Sequence, residues 1–139
     1  MTNVTPISRN TIPSIPLPSQ IQDWKDAVTY MAAAYMEAVY FTDSGDLEDL
    51  VDPDAPLDAA SYLHVWRDCY RFLQLIPREW IKDWDVGQLG HDLWLTRNGH
   101  GTGFWDRSLP YAAEISARSD AHFKPVQAFT RDGVTYLEH

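Results

Sequence analysis

The chain has one cysteine, Cys69, among its 139 residues. A lone thiol excludes an intramolecular disulfide framework and a thiolate-rich metal site, so packing must carry the fold, and a reducing compartment is expected. Long apolar runs are missing too. No stretch reaches the roughly 18 to 20 consecutive apolar residues of a membrane span, and no basic region followed by an apolar core suggests a secretory leader. The expectation is a soluble, cytoplasmic protein with no membrane role. Signatures that organise chemistry are equally scarce: there is no HExxH, no GxxxxGK[ST] phosphate loop and no serine or cysteine in a recognisable nucleophile turn. The DSGDLED stretch lacks the alternating carboxylates of a calcium loop. No metal and no cofactor are expected.

Positive charge is absent from a long central segment. No Lys or Arg occurs between Lys25 and Arg67, while Asp26, Glu37, Asp43, Asp46, Glu48, Asp49, Asp52, Asp54 and Asp58 all fall there. This segment holds the whole acidic excess of a chain with formal charge −9. Such a field repels phosphate backbones and attracts basic surfaces, which disfavours direct nucleic-acid binding and favours a basic protein partner. A solvated loop that aids solubility is the plainer reading of the same charges.

What is abundant is aromatic and apolar side chains: six Trp, seven Tyr and five Phe, with 45% hydrophobic residues overall, enough for one core. Residues 1–19 carry Pro6, Pro13, Pro16 and Pro18 among Ser, Thr and Asn, and read as an extended or disordered arm preceding a single domain over 20–139. Ile12, Ile15 and Leu17 would let that arm lie along the domain or a partner. Ser19 and Gln22 match a capping box, and the spacing of Trp24, Val28, Met31, Tyr35 and Val39 predicts a helix over about 20–41. The alanines between Met31 and Tyr35 permit close approach of another element. A loop follows, in which Leu47, Leu50 and Val51 are expected to pin the chain to the domain. A second helix starts near Pro56, capped by Asp54 or Asp58, and ends at Pro77. Cys69 falls on its apolar face and is expected as buried packing. Residues 78–84 suit a short helix and residues 110–120 another. Asp132 and Gly133 predict the turn of a hairpin over about 126–137.

Residues 91–107, HDLWLTRNGHGTGFWDR, read as a second hairpin, because Asn98 and Gly99 are the pair demanded by a type I′ turn. Strands 91–97 and 100–106 would then pair, with Leu93, Leu95 and Phe104 on the core side. Trp94 would lie over Gly103, and Trp94 and Trp105 would either brace the strands or face a partner. The fold class expected is α+β: a small antiparallel sheet of two hairpins, about 91–106 and 126–137, packed against two long helices and one shorter one.

The string GHDLWLTRNGHGTGFWDR, residues 90–107, resembles a GHDFWLTRNGHGAGFWDR motif associated with small proteins of tailed bacteriophages and prophages. Weaker similarity covers YMEAVYFTDSGD, WRDCYRFL and the RDGVTYLEH end, about two thirds of the chain in all. Leu93 replaces the usual Phe, Thr102 the usual Ala, and Ser108 to Pro110 a glycine-containing stretch. The resemblance implies phage origin and overall shape but no catalytic residues.

Two site readings follow. In the first, the chain is a non-enzymatic protein of the host bacterial cytoplasm, monomeric or homodimeric, that binds a basic, nucleic-acid-handling host protein as an anti-defence inhibitor of the anti-CRISPR or DNA-mimic kind. Its partner-binding residues would be Asp43, Asp46, Glu48, Asp49, Asp52, Asp54 and Asp58 with Trp94 and Trp105. In the second, His91, Arg97, His100 and Asp106 line a cleft beside the hairpin of a small enzyme or nucleotide-binding protein. Against this, Asp92, Arg97, Asp106 and Arg107 are better read as ion-pairing ties to neighbouring elements. A minor virion component is the third alternative.

Overall fold

A computed structural model describes residues 24–42 and 51–138. Helices dominate: α1 (Trp24–Thr42), α2 (Ala59–Leu75), the single turn α3 (Arg78–Ile81), α4 (Val86–Arg97) and α5 (Ala112–His122), with a 3₁₀ turn at Phe104–Asp106. Strands β1 (Gln127–Arg131) and β2 (Val134–Glu138) close the chain as an antiparallel pair. The α+β class therefore holds. Among the described residues the hairpin at 127–138 is the whole of the sheet.

Helix α1 is the centre. Met31 through Met36 and Ala38 through Tyr40 are all buried, so this helix is covered on nearly every side. Helix α2 is amphipathic, with Val65, Cys69 and Phe72 inside and Leu63, Arg67 and Arg71 outside. Its start is fixed by Asp58, whose carboxylate accepts from the Ser61 amide at 2.9 Å, and it gives way at Ile76 before Pro77. Behind Pro77, Trp84 is fully buried, sets its ring edge-on to Phe104 and donates to the Pro110 carbonyl at 3.2 Å.

The C-terminal hairpin forms as its Asp-Gly pair predicts, with positive φ at both Asp132 (52°) and Gly133 (79°). It also anchors the chain on the far side of the acidic segment. The Thr135 amide donates to Pro56 O and the Asp58 amide to Thr135 O, both at 2.8 Å, which lays residues 56–58 along β2. Tyr40 Oη donates to Ala55 O at 2.8 Å and ties this stretch to the end of α1. Val51 is buried, as expected, whereas Leu47 and Leu50 lie outside the described residues, as do the arm at 1–19 and the Ser19–Gln22 box.

The hairpin expected at 91–106 is not there. Residues 91–97 are the last two turns of α4, and 104–106 form the 3₁₀ turn. The physical reason lies at both ends of α4. Asp85 caps its start, accepting from the Gly87 amide at 2.7 Å, after which Val86, Leu89, Gly90, Leu93 and Arg97 recur at helical spacing on the buried side. Asn98-Gly99 ends the helix instead of turning a hairpin. Gly99 takes φ 67°, its amide reaches Thr96 O and the His100 amide reaches Leu95 O, the paired bonds of a Schellman motif. The Asn98 side chain adds a bond from Nδ2 to Trp94 O and accepts from the Val126 amide. A positive-φ glycine after asparagine serves either turn; the preceding twelve residues decide.

Cys69 is fully buried in α2, and burial pushes its thiol well above the ordinary range, with Asp68 adding in the same direction. A thiol reagent at pH 8 is therefore expected to label the folded chain only as fast as it opens, while the urea-unfolded chain labels at once. The same burial has a pH consequence. Above about 8.5 the unfolded thiol loses its proton while the native one keeps it, so stability falls by up to about 1.4 kcal/mol per pH unit as pH rises. The buried Tyr35 phenol, likewise raised chiefly by desolvation, adds to the fall above about pH 10. Equilibrium unfolding of wild type and Cys69→Ala between pH 7 and 10 separates the thiol contribution.

Candidate functional site

Arg97 is the most fully engaged of the polar residues singled out by the sequence. Its Nε donates to Lys124 O at 2.8 Å, and its Nη1 donates to Asp68 Oδ2 at 2.7 Å and to Tyr35 Oη at 3.3 Å. Its guanidinium also stands over the Phe123 ring, which Arg71 covers as well. Burial opposes the charge, yet Tyr35 and Asp68 together hold the guanidinium above its ordinary pKa. The group joins α1, α2, α4 and the segment entering β1 through one cation, with Nε and Nη1 both engaged by protein acceptors.

Asp92 plays the matching role on the next face of α4. Its side chain is fully buried and receives a bidentate grip from Arg107, Nη2 to Oδ1 at 2.7 Å and Nε to Oδ2 at 3.0 Å, with Gln88 Nε2 donating to Oδ1 at 3.0 Å. The hydrogen bonds to Asp92 are the first cause holding Arg107 above its usual range. Between these two residues the chain folds back on α4. The Phe104 amide donates to Thr96 Oγ1 at 3.2 Å, and a Cβ on Gly103 would lie 2.4 Å from that oxygen. Phe104 then stacks on Phe72 with centroids 5.5 Å apart. Residues 90–107 are thus a helix, a cap and a returning turn locked by Asp92 and Arg107. Of the four residues expected to tie this stretch to neighbouring elements, Arg97 does so, reaching α1 and α2, whereas Asp92 and Arg107 pair with each other within the stretch and Asp106 accepts from Thr102.

The four residues of the acid-base reading have separate partners. His91 Nε2 lies 3.6 Å from Glu37 Oε2 on a half-exposed surface between α1 and α4. His100 sits against the Trp94 ring. Asp106 accepts from Thr102 Oγ1 at 2.9 Å at the exposed end of the 3₁₀ turn, and Arg97 is buried as described. No hydrogen bond joins any two of the four.

The residues of the partner-binding reading divide as well. Trp94 is buried, not presented: it packs edge-on against Tyr35 and donates to Thr42 Oγ1 at 2.8 Å. The helix turns position 94 toward α1, where a strand would have turned it across Gly103. Trp105 is 52% exposed. Asp58 is committed to capping α2, its Oδ2 also accepting from Ser61 Oγ. Asp52 and Asp54 are exposed, and Asp52 Oδ1 accepts from the Asp54 amide while its own amide donates to Thr130 Oγ1. Asp43, Asp46, Glu48 and Asp49 lie outside the described residues.

Sequence reasoning missed Phe41. It stands 82% exposed in the last turn of α1, immediately before the acidic segment. The link from Tyr40 to Ala55 sets Asp52 and Asp54 at the same end of that helix. Phe41 continues an apolar run, and nothing but its position past the last buried turn distinguishes it from the core residues before it. Comparison with protein-family models, curated proteins and solved structures finds no match for this chain.

Proposed function

We propose that this chain is a phage or prophage protein that acts in the host cytoplasm by binding the basic surface of a host protein, without catalysing a reaction. The observation that carries the reading is Phe41: a large apolar side chain 82% exposed at the entry to the acidic segment, with Asp52 and Asp54 exposed at the same end. An aromatic anchor rimmed by charge of one sign is how interfaces combine affinity with steering. The separate structural engagements of Arg97 and Asp106 support binding over chemistry. The phage origin rests on the 90–107 motif. An inhibitor that occupies a nucleic-acid-handling site by imitating its polyanion is the form that suits a cluster of carboxylates.

The test is affinity capture from a bacterial host lysate with identification by mass spectrometry, followed by binding measurements on the captured protein. Phe41→Ala is expected to weaken binding on the order of thirtyfold, the loss of an anchor worth about 2 kcal/mol. Charge reversal at Asp46, Glu48 and Asp49 is expected to slow association and remove its salt dependence. Unchanged binding in both variants would sink the reading.

A further inference from the structure

Helices α1 and α4 are almost wholly buried along their shared seam, and each shows solvent one residue there. From Met31 to Tyr40 Glu37 alone is not buried, and from Leu89 to Arg97 His91 alone is not. These two residues meet. His91 Nε2 stands 3.6 Å from Glu37 Oε2, with 38% and 49% of the two side chains exposed. That separation is beyond a hydrogen bond. It is close to the spacing of two ligands on one tetrahedral zinc ion, about 3.3 to 3.5 Å for bonds of about 2.0 to 2.2 Å, and imidazole and carboxylate are both zinc ligands. The backbones that carry them are fixed. Gly90, beside His91, lies so near Met31 O and Tyr35 N that a Cβ is barred, and Trp94 is hydrogen-bonded to Thr42 further along the seam. Rigid support of this kind holds a ligand pair in place before any metal arrives.

We propose that Glu37 and His91 are half of a zinc site that a second copy of the chain completes. Among the described residues no third histidine, cysteine or carboxylate joins the pair, so one chain fills two of the four positions of a closed zinc site. A twofold axis through the ion supplies the same two ligands again, because an isologous contact needs only one self-complementary patch. Two imidazoles and two carboxylates then surround the metal, and the two glutamates neutralise the dication. The formal charge of −9 on each chain opposes self-association, so the cation is what permits it. Phe41, 82% exposed one turn beyond Glu37 on the same side of α1, is covered by that second copy as well. The dimer and a host protein bound through Phe41 therefore exclude one another.

Sedimentation of the full chain with and without zinc chloride tests this. Zinc is expected to double the mass at one ion per two chains, and a chelator to restore the monomer. His91→Gln and Glu37→Gln each replace a half-exposed side chain, so both should unfold in urea near the wild-type midpoint yet stay monomeric with zinc. His122→Gln, at an exposed histidine of α5, is the control and should dimerise as wild type does. Zinc-linked dimers that persist in both seam variants would mark adventitious chelation by other histidines and overturn the proposal. So would one ion per chain with no change in mass, no binding at all, or a dimer already complete in chelator. No host partner enters the measurement, so its outcome stands apart from the binding role proposed above.

Discussion

Gly90→Ala is expected to destabilise the domain by about 3 kcal/mol or more, at or beyond the upper end of ordinary overpacking. A Cβ at this position would fall 2.2 Å from Met31 O, 2.9 Å from Tyr35 N and 3.0 Å from Ala34 Cβ. Two of these three atoms are α1 backbone, so no side-chain rotation relieves the clash, and α1 and α4 must separate along their shared seam. The separation also disturbs the Trp94–Tyr35 contact and the bond from Trp94 to Thr42. Replacing glycine by alanine in a helix interior contributes at most about 1 kcal/mol the other way. Urea unfolding checks the value, with Gly101→Ala as the control, since a Cβ there meets nothing within 4 Å. That control is expected to stay within about 0.5 kcal/mol of wild type. Equal midpoints for the two variants would mean that α1 and α4 do not approach so closely.

Arg107→Ala is expected to cost about 3 to 5 kcal/mol, the range for removing one partner of a buried ion pair. The two ends of this pair are unequal: Asp92 is fully buried, whereas the Arg107 side chain keeps 31% of its surface in solvent. Removing the arginine strands a carboxylate inside the protein with Gln88 as its remaining side-chain donor. Removing the carboxylate instead leaves an arginine that can turn toward water, so Asp92→Ala should cost less. The double variant should be more stable than Arg107→Ala alone, and a double-mutant cycle on unfolding free energies measures the coupling. A strictly additive cycle would refute the closing role assigned to this pair.

Much of the fold could be read from residue spacing. Helix α2 announced itself through its cap and Pro77, the terminal hairpin through Asp132-Gly133, and Cys69 through its apolar neighbours. The stretch 91–107 misled because two of its signals are degenerate. Asn98-Gly99 supplies positive φ equally well to a hairpin turn and to a helix cap. Trp94, Thr96 and the paired leucines alternate, but Leu89, Leu93 and Arg97 also keep helical spacing, and Asp85, six residues upstream of where a strand was placed, caps that pattern. Gly90 carries the decisive information, yet only the proximity of Met31 and Tyr35 shows why a side chain is not tolerated there. The polar residues were legible as ties but not as to their partners: Asp68, Tyr35 and the Lys124 carbonyl reach Arg97 from 29, 62 and 27 residues away. Phe41 was hidden by its resemblance to the core residues that precede it.

The bonds that lay residues 56–61 along β2 also govern the order in which the chain can become a domain. Leu137 donates to Ser61 Oγ across 76 residues of sequence. At a synthesis rate of about 5 to 20 residues per second, Ser61 waits roughly 4 to 15 s after leaving the peptidyl-transferase centre before its partner is even made. During that interval the region following the acidic segment lacks its native backbone partners, and the apolar face of α2 is covered only by what precedes it. Completion of the domain therefore waits for the hairpin at 127–138, and the concentration of negative charge upstream of it helps keep the unfinished chain in solution.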